Sequence, residues 1–353
     1  MAEKVLIKGN EAIGRAAIAA GCRHYFGYPI TPQTEIAEFL AKELPKVNGT
    51  FIQAESEVAA VNMVYGAAAA GARAMTSSSG PGISLKQEGL STMAGAQIPC
   101  VIVDIMRGGP GLGSIQPSQP DYFQVVKGGG HGDYHNIVLA PNSVQEMYDL
   151  TMDAFDISDQ YRNPVFVLAD GALGQMMEPV SFDKQPAAQS VKTWALTGKP
   201  SGRERHIIKS LNLAPEIQES HNLELQSKYN QVREQLRRYE AYSLDDAELI
   251  LVAYGISARI AQSAVDKARQ QGLKVGLFRP ITLWPFPNTE LLSFAKQAKA
   301  LLTVELSAGQ LIEDVKLAVE CSKPVHLYGR LGGMLPTPQE VLTKICAIYQ
   351  GGE

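Results

Sequence analysis

The sequence predicts an α/β protein with two parallel-sheet domains, the larger one first. Short apolar runs alternate with helix-like stretches along most of the 353 residues, which is typical of parallel strands joined by crossover helices. The run at 99–106 is strongly apolar, as expected of a strand that is buried on both faces. A hydrophobic content of 45% supplies enough apolar side chain for a core in each domain.

The first part of the chain predicts strands and helices in alternation. A helix over 10–20 precedes a short strand that ends in the turn at 25–29, and Thr31 with Glu35 is predicted to open the next helix. The remaining predicted strands are 51–54, 74–78, 99–106, 137–140 and 164–169, and the remaining predicted helices are 57–71, 85–96 and 143–158. A Gly/Pro-rich stretch over 108–133 interrupts this pattern, and long loops inside an α/β domain are usually functional.

The second part begins with a polar segment and ends in a smaller domain. Residues 179–245 are polar and contain a predicted helix around 219–242. After them we predict strands at 249–254, 275–279, 300–305 and 325–328, helices at 258–271, 309–321 and 337–349, and a short element at 291–296. The predicted domains are therefore 1–180 and 246–353, joined by a linker with a helical segment over 181–245.

Composition excludes several classes of partner. The 32 basic and 36 acidic residues give a net charge of -4, so neither nucleic acid nor an anionic membrane surface is an expected partner. The apolar runs are too short to cross a bilayer and residues 1–4 begin no signal peptide, so we expect a cytoplasmic protein. The four cysteines form no Cys-x-x-Cys pair, so we expect neither a zinc site nor an iron–sulfur cluster on this chain.

Two acidic residues stand where a predicted strand gives way to a helix. Glu55 and Glu57 precede a helix, and helix capping alone explains such residues because the positive end of a helix stabilises them. The helix that follows is so rich in Ala and Gly that other backbone or a flat ligand can approach it closely. A carboxyl group there would be poorly solvated, which makes it a candidate for chemistry.

Three further features lie at predicted carboxyl ends of strands, where ligands bind in open α/β sheets. The prolines of Tyr28-Pro29-Ile30-Thr31-Pro32 fix the backbone around Thr31, although an ordinary helix cap has the same pattern. The hydroxyl-rich turn at 76–82 is either a tight turn or a wall of backbone N–H groups that could hold an anion. Arg107 is placed to bind a substrate carboxylate, or else to pair with Asp104 or Asp121.

Other residues and motifs give weaker support for a functional site. His131 lies in a glycine-rich stretch and is predicted to be a loop residue rather than a base. Asp170-Gly171 follows a strand but lacks a second metal ligand at a plausible spacing, so we predict no metal on this chain. A nicotinamide dehydrogenase is disfavoured because no Gly-x-Gly-x-x-Gly with a downstream acidic residue occurs in the first βα units.

Taken in order, the motifs resemble those of one enzyme family. The chain is similar to the alpha-type subunit of the 2-oxoacid:ferredoxin oxidoreductases, most closely to the branched-chain (2-oxoisovalerate) subunit, with the 2-oxoglutarate subunit as its rival. The resemblance covers nearly the whole chain and rests on the segments 28–32, 55–57, 76–82, 106–108, 174–179 and 276–287. It implies a pyrimidine-type thiamine diphosphate-binding domain followed by a transketolase C-terminal-like domain.

The resemblance also implies an enzyme that is active only with partner subunits. In this family a beta subunit binds the diphosphate and Mg²⁺ through a Gly-Asp-Gly…Asn pattern, which this sequence lacks. Gamma and ferredoxin-like delta subunits would complete the complex, [4Fe-4S] clusters would lie on partners, and ferredoxin would accept the electrons. The expected reaction is the oxidative decarboxylation of a 2-oxoacid with coenzyme A to acyl-CoA and carbon dioxide.

Residue roles follow from the same resemblance. Glu57 matches the carboxylate that binds N1′ of the thiamine aminopyrimidine, with Glu55 as the weaker alternative. Thr31 and Arg107 match the residues that hold substrate, and the stretch 77–82 would shape the pocket wall. The expected cofactor contacts are Tyr28, Pro29, Ile30, Glu57, Ser78, Ser79 and Gly80. A subunit that only gates the active site of a partner remains an alternative.

Overall fold

A seven-stranded sheet forms the centre of the first part of the chain. The computed structural model describes residues 4–188, 191–199 and 201–351. The first elements are β1 (Val5–Lys8), α1 (Gly9–Ala19), β2 (His24–Gly27), α2 (Thr34–Glu43), a 3-10 helix (Leu44–Val47), β3 (Thr50–Gln53), α3 (Glu57–Ala69), β4 (Ala74–Ser78), α4 (Gly80–Gly95), β5 (Cys100–Met106), α5 (Tyr122–Val126), β6 (Ile137–Leu139), α6 (Val144–Tyr161), β7 (Pro164–Asp170), α7 (Gly171–Gln175) and β8 (Met177–Val180).

A long helix leads into the second, smaller sheet. The elements of this part are α8 (Pro215–Gln235), β9 (Tyr239–Tyr242), β10 (Leu249–Val252), α9 (Gly255–Gln270), β11 (Val275–Pro280), β12 (Thr282–Trp284), α10 (Asn288–Ala295), β13 (Ala300–Glu305), α11 (Leu311–Ala318), β14 (Val325–Gly329) and α12 (Pro338–Tyr349).

The two larger sheets are mostly parallel. The first has the order β12-β6-β7-β5-β4-β2-β3, and only β12 runs antiparallel to its neighbour. The second has the order β14-β13-β10-β11-β9, with β9 antiparallel. All of β5 and β7 is buried, which agrees with the prediction for strands covered by helices on both faces. A separate antiparallel pair joins β1 to β8.

Side chains from both parts fasten the second sheet to the first. The amide of Gln119 donates to the carbonyl of Tyr254 at 3.0 Å and accepts from the Leu306 N–H at 3.0 Å. The buried Arg279 donates two hydrogen bonds to the Glu146 carboxylate, at 2.9 and 2.8 Å. The Gln119 contacts hold the loop that follows β5 against the smaller sheet, and the Arg279 contacts join that sheet to α6.

Several predicted boundaries were wrong. Helix α4 begins at Gly80 instead of residue 85, because Gly-Pro-Gly forms its first turn and proline is well tolerated there. Helix α2 begins at Thr34 and not at Thr31, since a residue that precedes proline disfavours helical backbone. Helix α8 spans Pro215–Gln235, because residues 239–242 form strand β9 instead. The short elements β1, α5, α7 and β8 were not predicted.

Between β8 and α8 the described residues form neither helix nor strand, and residues 189, 190 and 200 of the predicted linker lie outside the described ranges. Residues 1–3, on which part of the signal-peptide prediction rests, lie outside them as well. Among the described residues, no helix has the length and apolar character needed to span a bilayer.

Candidate active site

Glu57 lies in the interior at the first turn of α3. Ser56 caps this helix by accepting a hydrogen bond from the Ala59 N–H at 3.2 Å, which places the next residue at the positive helix end. The Glu57 residue is only 6% exposed, whereas Glu55 is exposed to solvent. The structure therefore places Glu57, and not Glu55, where burial can change the chemistry of a carboxyl group.

Gly82 of α4 makes room for this carboxyl group. A Cβ atom at position 82 would lie 2.1 Å from Ser78 Oγ and 2.6 Å from Glu57 Oε1. Only glycine allows both oxygen atoms to approach the helix so closely. The start of α4, the end of β4 and the start of α3 thus form one wall around Glu57.

A buried cluster of charged residues, Lys86, Asp104 and Asp121, lies beside Glu57 and was not predicted as a cluster. Lys86 and Asp104 are fully buried, and Asp121 is 6% exposed. Burial lowers the pKa of Lys86 to about 8, against the attraction of Glu57 and Asp104. Burial, followed by the negative charge of Asp121, raises the pKa of Asp104 well above its ordinary value, and burial raises the pKa of Asp121 to about 6.

The hydroxyl-rich turn supplies buried polar atoms to the same place. Thr76 Oγ1, Ser78 Oγ and Ser79 Oγ are buried and have no hydrogen-bond partner among the described residues. The sequence suggested that the start of α4 could hold an anion. In the structure it faces the carboxylate of Asp121, and this carboxylate accepts a hydrogen bond from the Gly80 backbone. Unpartnered hydroxyl groups at this depth are available to a bound group.

Arg107 is fixed by backbone carbonyl groups. It donates from Nη1 to the carbonyl of Thr31 and from Nη2 to the carbonyl of Leu112, each at 3.0 Å, while its buried Nε has no partner. Within the described ranges it forms no ion pair with Asp104 or Asp121, the alternative that the sequence left open. The guanidinium group is therefore held in one orientation and keeps donors free.

The remaining predicted contacts lie at the same edge of the sheet. Tyr28, Pro29 and Thr31 are exposed and Ile30 is partly buried, in the segment between β2 and α2. Arg107 lines a cleft of about 760 Å³ between the two parts of the chain, together with Gly80, Pro81, Phe123, Leu306 and Leu331 among others. The structure thus brings the predicted residues together along one edge.

Asp170 has a structural role. Its Oδ1 accepts hydrogen bonds from the backbone N–H groups of Ala172 and Leu173, and its Oδ2 accepts one from Ile256 at 2.8 Å. Burial raises its pKa to about 6. No group of three or more His, Cys, Asp or Glu residues in the described ranges is arranged to bind a metal ion. His131 is exposed on its loop, as predicted.

These features fit the aminopyrimidine half of thiamine diphosphate. That ring system needs a buried carboxyl group for one ring nitrogen and further polar atoms beside it. Glu57 supplies the carboxyl group, and Ser78, which lies with it against Gly82, supplies an unpartnered buried hydroxyl.

Comparison with known sequences agrees with this fit. The family model described as pyruvate flavodoxin/ferredoxin oxidoreductase, thiamine diphosphate-binding, matches residues 15–243. The chain belongs to the 2-oxoacid:ferredoxin oxidoreductases. A second model, pyruvate:ferredoxin oxidoreductase core domain II, matches residues 247–341. The predicted family and fold class are therefore confirmed.

Within this family, the chain shares different degrees of sequence identity with individual relatives. The chain is 54% identical to the ketoisovalerate oxidoreductase subunit VorB of Methanothermobacter marburgensis, over 96% of each sequence. It is 38% identical to the 2-oxoglutarate synthase subunit KorA of Methanocaldococcus jannaschii, over 95% of this chain and 97% of the relative. Its fold matches the 2-oxoglutarate:ferredoxin oxidoreductase of Magnetococcus marinus with a TM-score of 0.89 at 29% identity, covering 98% of this chain and 65% of that one.

Proposed function

We propose that this chain supplies the aminopyrimidine-binding side of a thiamine diphosphate site that oxidises a branched-chain 2-oxoacid. The observation that carries the proposal is the buried Glu57 carboxyl group at the start of α3, packed against Gly82. Thiamine diphosphate, when bound, supplies the carbon nucleophile and the electron sink for decarboxylation.

Glu57 is the proposed catalytic residue. Its carboxyl group would hold a proton against N1′ of the aminopyrimidine and so control the tautomer of that ring. Because Glu57 is only 6% exposed, little water competes for this hydrogen bond, which strengthens it. The exposed Glu55 lacks that environment, which supports Glu57 over the alternative.

Arg107 and Thr31 are the proposed substrate-binding residues. The Arg107 guanidinium group is oriented by two carbonyl groups, one of them that of Thr31, so its free N–H groups can clamp a carboxylate without rearrangement. Because the Thr31 side chain is exposed beside it, the hydroxyl is available to the same substrate. The carboxylate must be oriented firmly enough to react, yet not so firmly that its departure as carbon dioxide is opposed.

The cofactor contacts proposed besides Glu57 are Tyr28, Pro29, Ile30, Ser78, Ser79 and Gly80. Ser78 and Ser79 carry buried hydroxyl groups without partners, and Gly80 begins the helix that approaches Glu57.

We also propose the domain division 1–180, 181–245 and 246–353 predicted from the sequence.

The site proposed here is completed by partner subunits in the cytoplasm. A beta subunit would hold the diphosphate and Mg²⁺, because this chain lacks the Gly-Asp-Gly…Asn pattern. Gamma and ferredoxin-like delta subunits would carry [4Fe-4S] clusters and pass electrons to ferredoxin, and coenzyme A would accept the acyl group.

A branched-chain substrate is favoured over 2-oxoglutarate. Identity to the ketoisovalerate oxidoreductase subunit is 54%, against 38% to the 2-oxoglutarate synthase subunit. The cleft beside Arg107 contains apolar side chains, including Pro81, Phe123, Leu306 and Leu331, alongside polar ones such as Gln124 and Gln310, and Arg107 is the only cation among its lining residues. A second carboxylate would be held best by a second cation, whereas a branched alkyl group needs an apolar wall.

The experiment is a substrate competition with the purified complex. Dye reduction that depends on a 2-oxoacid is measured with 2-oxoisovalerate and 2-oxoglutarate together, and we expect a clear preference for 2-oxoisovalerate. A preference for 2-oxoglutarate would refute the branched-chain assignment, and absence of activity with any 2-oxoacid would refute the reaction. A subunit that only gates a partner would tolerate the substitution Glu57→Gln.

A further inference from the structure

Asn10 is a buried polar residue near the start of α1 that the proposed mechanism does not use. The residue is fully buried, and its amide nitrogen bonds to a different segment of the chain: Nδ2 donates to the carbonyl of Pro32 at 2.7 Å and to Glu35 Oε2 at 2.8 Å. An asparagine amide has two N–H donors, so these two bonds use both of them. The side chain therefore joins α1 to the residues that lead into α2.

The Glu35 carboxylate holds this amide in place. Its Oε1 accepts a hydrogen bond from Lys8 Nζ at 3.0 Å, and its Oε2 also accepts one from Gln175 Nε2 at 2.9 Å. Burial would raise the pKa of this carboxyl group, but the hydrogen bond from Asn10 and then the others hold the pKa below its ordinary value. Glu35 is therefore ionised at neutral pH, and hydrogen bonds to an ionised acceptor are strong.

The Pro32 carbonyl connects this network to the proposed substrate site. It accepts the bond from Asn10 and a longer one, at 3.2 Å, from Gln175 Nε2. Pro32 is itself buried, and its ring lies close to Gly171, where a Cβ atom would stand 3.2 Å from Pro32 Cγ. Both the ring and the carbonyl of this residue are thus held from below the segment that carries Thr31.

A single peptide bond separates this anchor from a support of Arg107. Thr31 directly precedes Pro32, and the carbonyl of Thr31 accepts the hydrogen bond from Arg107 Nη1. The second carbonyl that orients the guanidinium group, that of Leu112, belongs to a different loop. Removing the donors of Asn10 would therefore loosen one of these two supports and leave the other intact.

We propose that Asn10 is a positioning residue for substrate binding. Its amide fixes the Pro32 carbonyl and, through the adjoining Thr31 carbonyl, sets the orientation of the Arg107 guanidinium group. This inference rests on the proposed function, because the orientation matters only if Arg107 binds the carboxylate of the 2-oxoacid. A guanidinium group that is already oriented loses less freedom when it forms a bidentate contact.

The experiment compares kcat/KM for 2-oxoisovalerate with KM for coenzyme A in the purified complex. Asn10→Ala should lower kcat/KM for the 2-oxoacid by about 5-fold, the equivalent of one ordinary net hydrogen bond, and leave KM for coenzyme A unchanged. Asn10→Asp keeps the shape of the side chain but has no N–H donor when ionised, so its loss should be at least as large. Gln175→Ala removes the longer bond to the same carbonyl and should show the same pattern to a smaller extent. Because Gln175 is exposed, this variant tests the carbonyl even if both Asn10 variants fail to fold.

A double-mutant cycle separates positioning from a general effect on stability. In the Arg107→Met background, Asn10→Ala should change kcat/KM for the 2-oxoacid by less than about 2-fold, because the effects of residues that act through one another do not add. Asn163→Ala is the matched control, because Asn163 is an equally buried asparagine whose amide donates to the carbonyl groups of His135 and Pro164. It precedes β7, away from the site, and its loss should leave kcat/KM for the 2-oxoacid unchanged.

The possible failures are distinguishable. Wild-type kcat/KM for the 2-oxoacid in the Asn10 and Gln175 variants would overturn the role of Asn10 and leave the proposed function intact. The same conclusion would follow if the loss caused by Asn10→Ala were equally large in the Arg107→Met background. Wild-type kcat/KM in the Arg107→Met complex would instead remove Arg107 from substrate binding and overturn both proposals for this site.

Discussion

Replacing Gly82 with alanine should disable the site while leaving the fold intact. The added Cβ would stand 2.6 Å from Glu57 Oε1 and 2.1 Å from Ser78 Oγ, whereas ordinary contact begins at 3.4 Å. The carboxyl oxygen must therefore retreat by about 0.8 Å and the hydroxyl by about 1.3 Å. The Ser78 hydroxyl can move by rotation of a short side chain, whereas Glu57 must move its Cγ as well, because that atom would lie 3.0 Å from the added Cβ.

The displacement of these two oxygen atoms predicts a loss of turnover. A shift of about 1 Å in a reacting group can cost about 100-fold in rate, so we expect kcat for 2-oxoacid-dependent dye reduction to fall by about that factor. Thermal stability should change little, because alanine gains about 0.5–1 kcal/mol over glycine inside a helix and this offsets the strain.

Gly66→Ala provides the matched control. Gly66 lies in α3, and a Cβ atom there would meet nothing within 4 Å. This variant should keep wild-type turnover and gain a little stability. Wild-type turnover in the Gly82→Ala complex would refute the claim that the close approach of α4 fixes Glu57.

Three further outcomes are expected. Arg107→Met should raise KM for the 2-oxoacid more than KM for coenzyme A, because a charge-assisted clamp contributes about 1.5–3 kcal/mol; equal effects on both would contradict the substrate role. The isolated chain should not bind thiamine diphosphate tightly in calorimetry, and stoichiometric tight binding would disprove a shared site. Arg279→Met should lower stability by about 1–3 kcal/mol in denaturant unfolding, because the partly buried Glu146 carboxylate loses its charged partner. An unchanged midpoint would show that this ion pair does not hold the two sheets together.

The sequence predicted the elements that depend on local pattern. Strands β4 and β13 and the start of α3 at Glu57 were predicted at their observed positions, because each strand begins with apolar residues between two helix-like stretches and a helix start has a distinct cap. Strands β1 and β8 were missed, since their pairing joins residues far apart in sequence and neither strand alternates clearly.

The charged cluster could not be predicted from local pattern. Lys86 stands between Leu85 and Gln87 as a surface lysine would, and its burial arises only because Gly82 and Gly89 let α3 approach. Asp104 offered one usable signal, as the only charged residue of the apolar strand β5. A charge inside such a strand indicates a partner or a function.

The role of Glu57 is tested most directly by comparing it with Glu55, which lies two residues earlier. Glu57→Gln and Glu55→Gln are each assembled into the complex, and turnover with 2-oxoisovalerate is measured at saturating substrate and thiamine diphosphate. We expect Glu57→Gln to lose turnover by orders of magnitude with assembly unchanged, because the amide can still reach N1′ but cannot supply the proton. The exposed Glu55→Gln should stay within a few-fold of wild type. Near-normal turnover in the Glu57→Gln complex, or a larger loss in Glu55→Gln, would contradict the account.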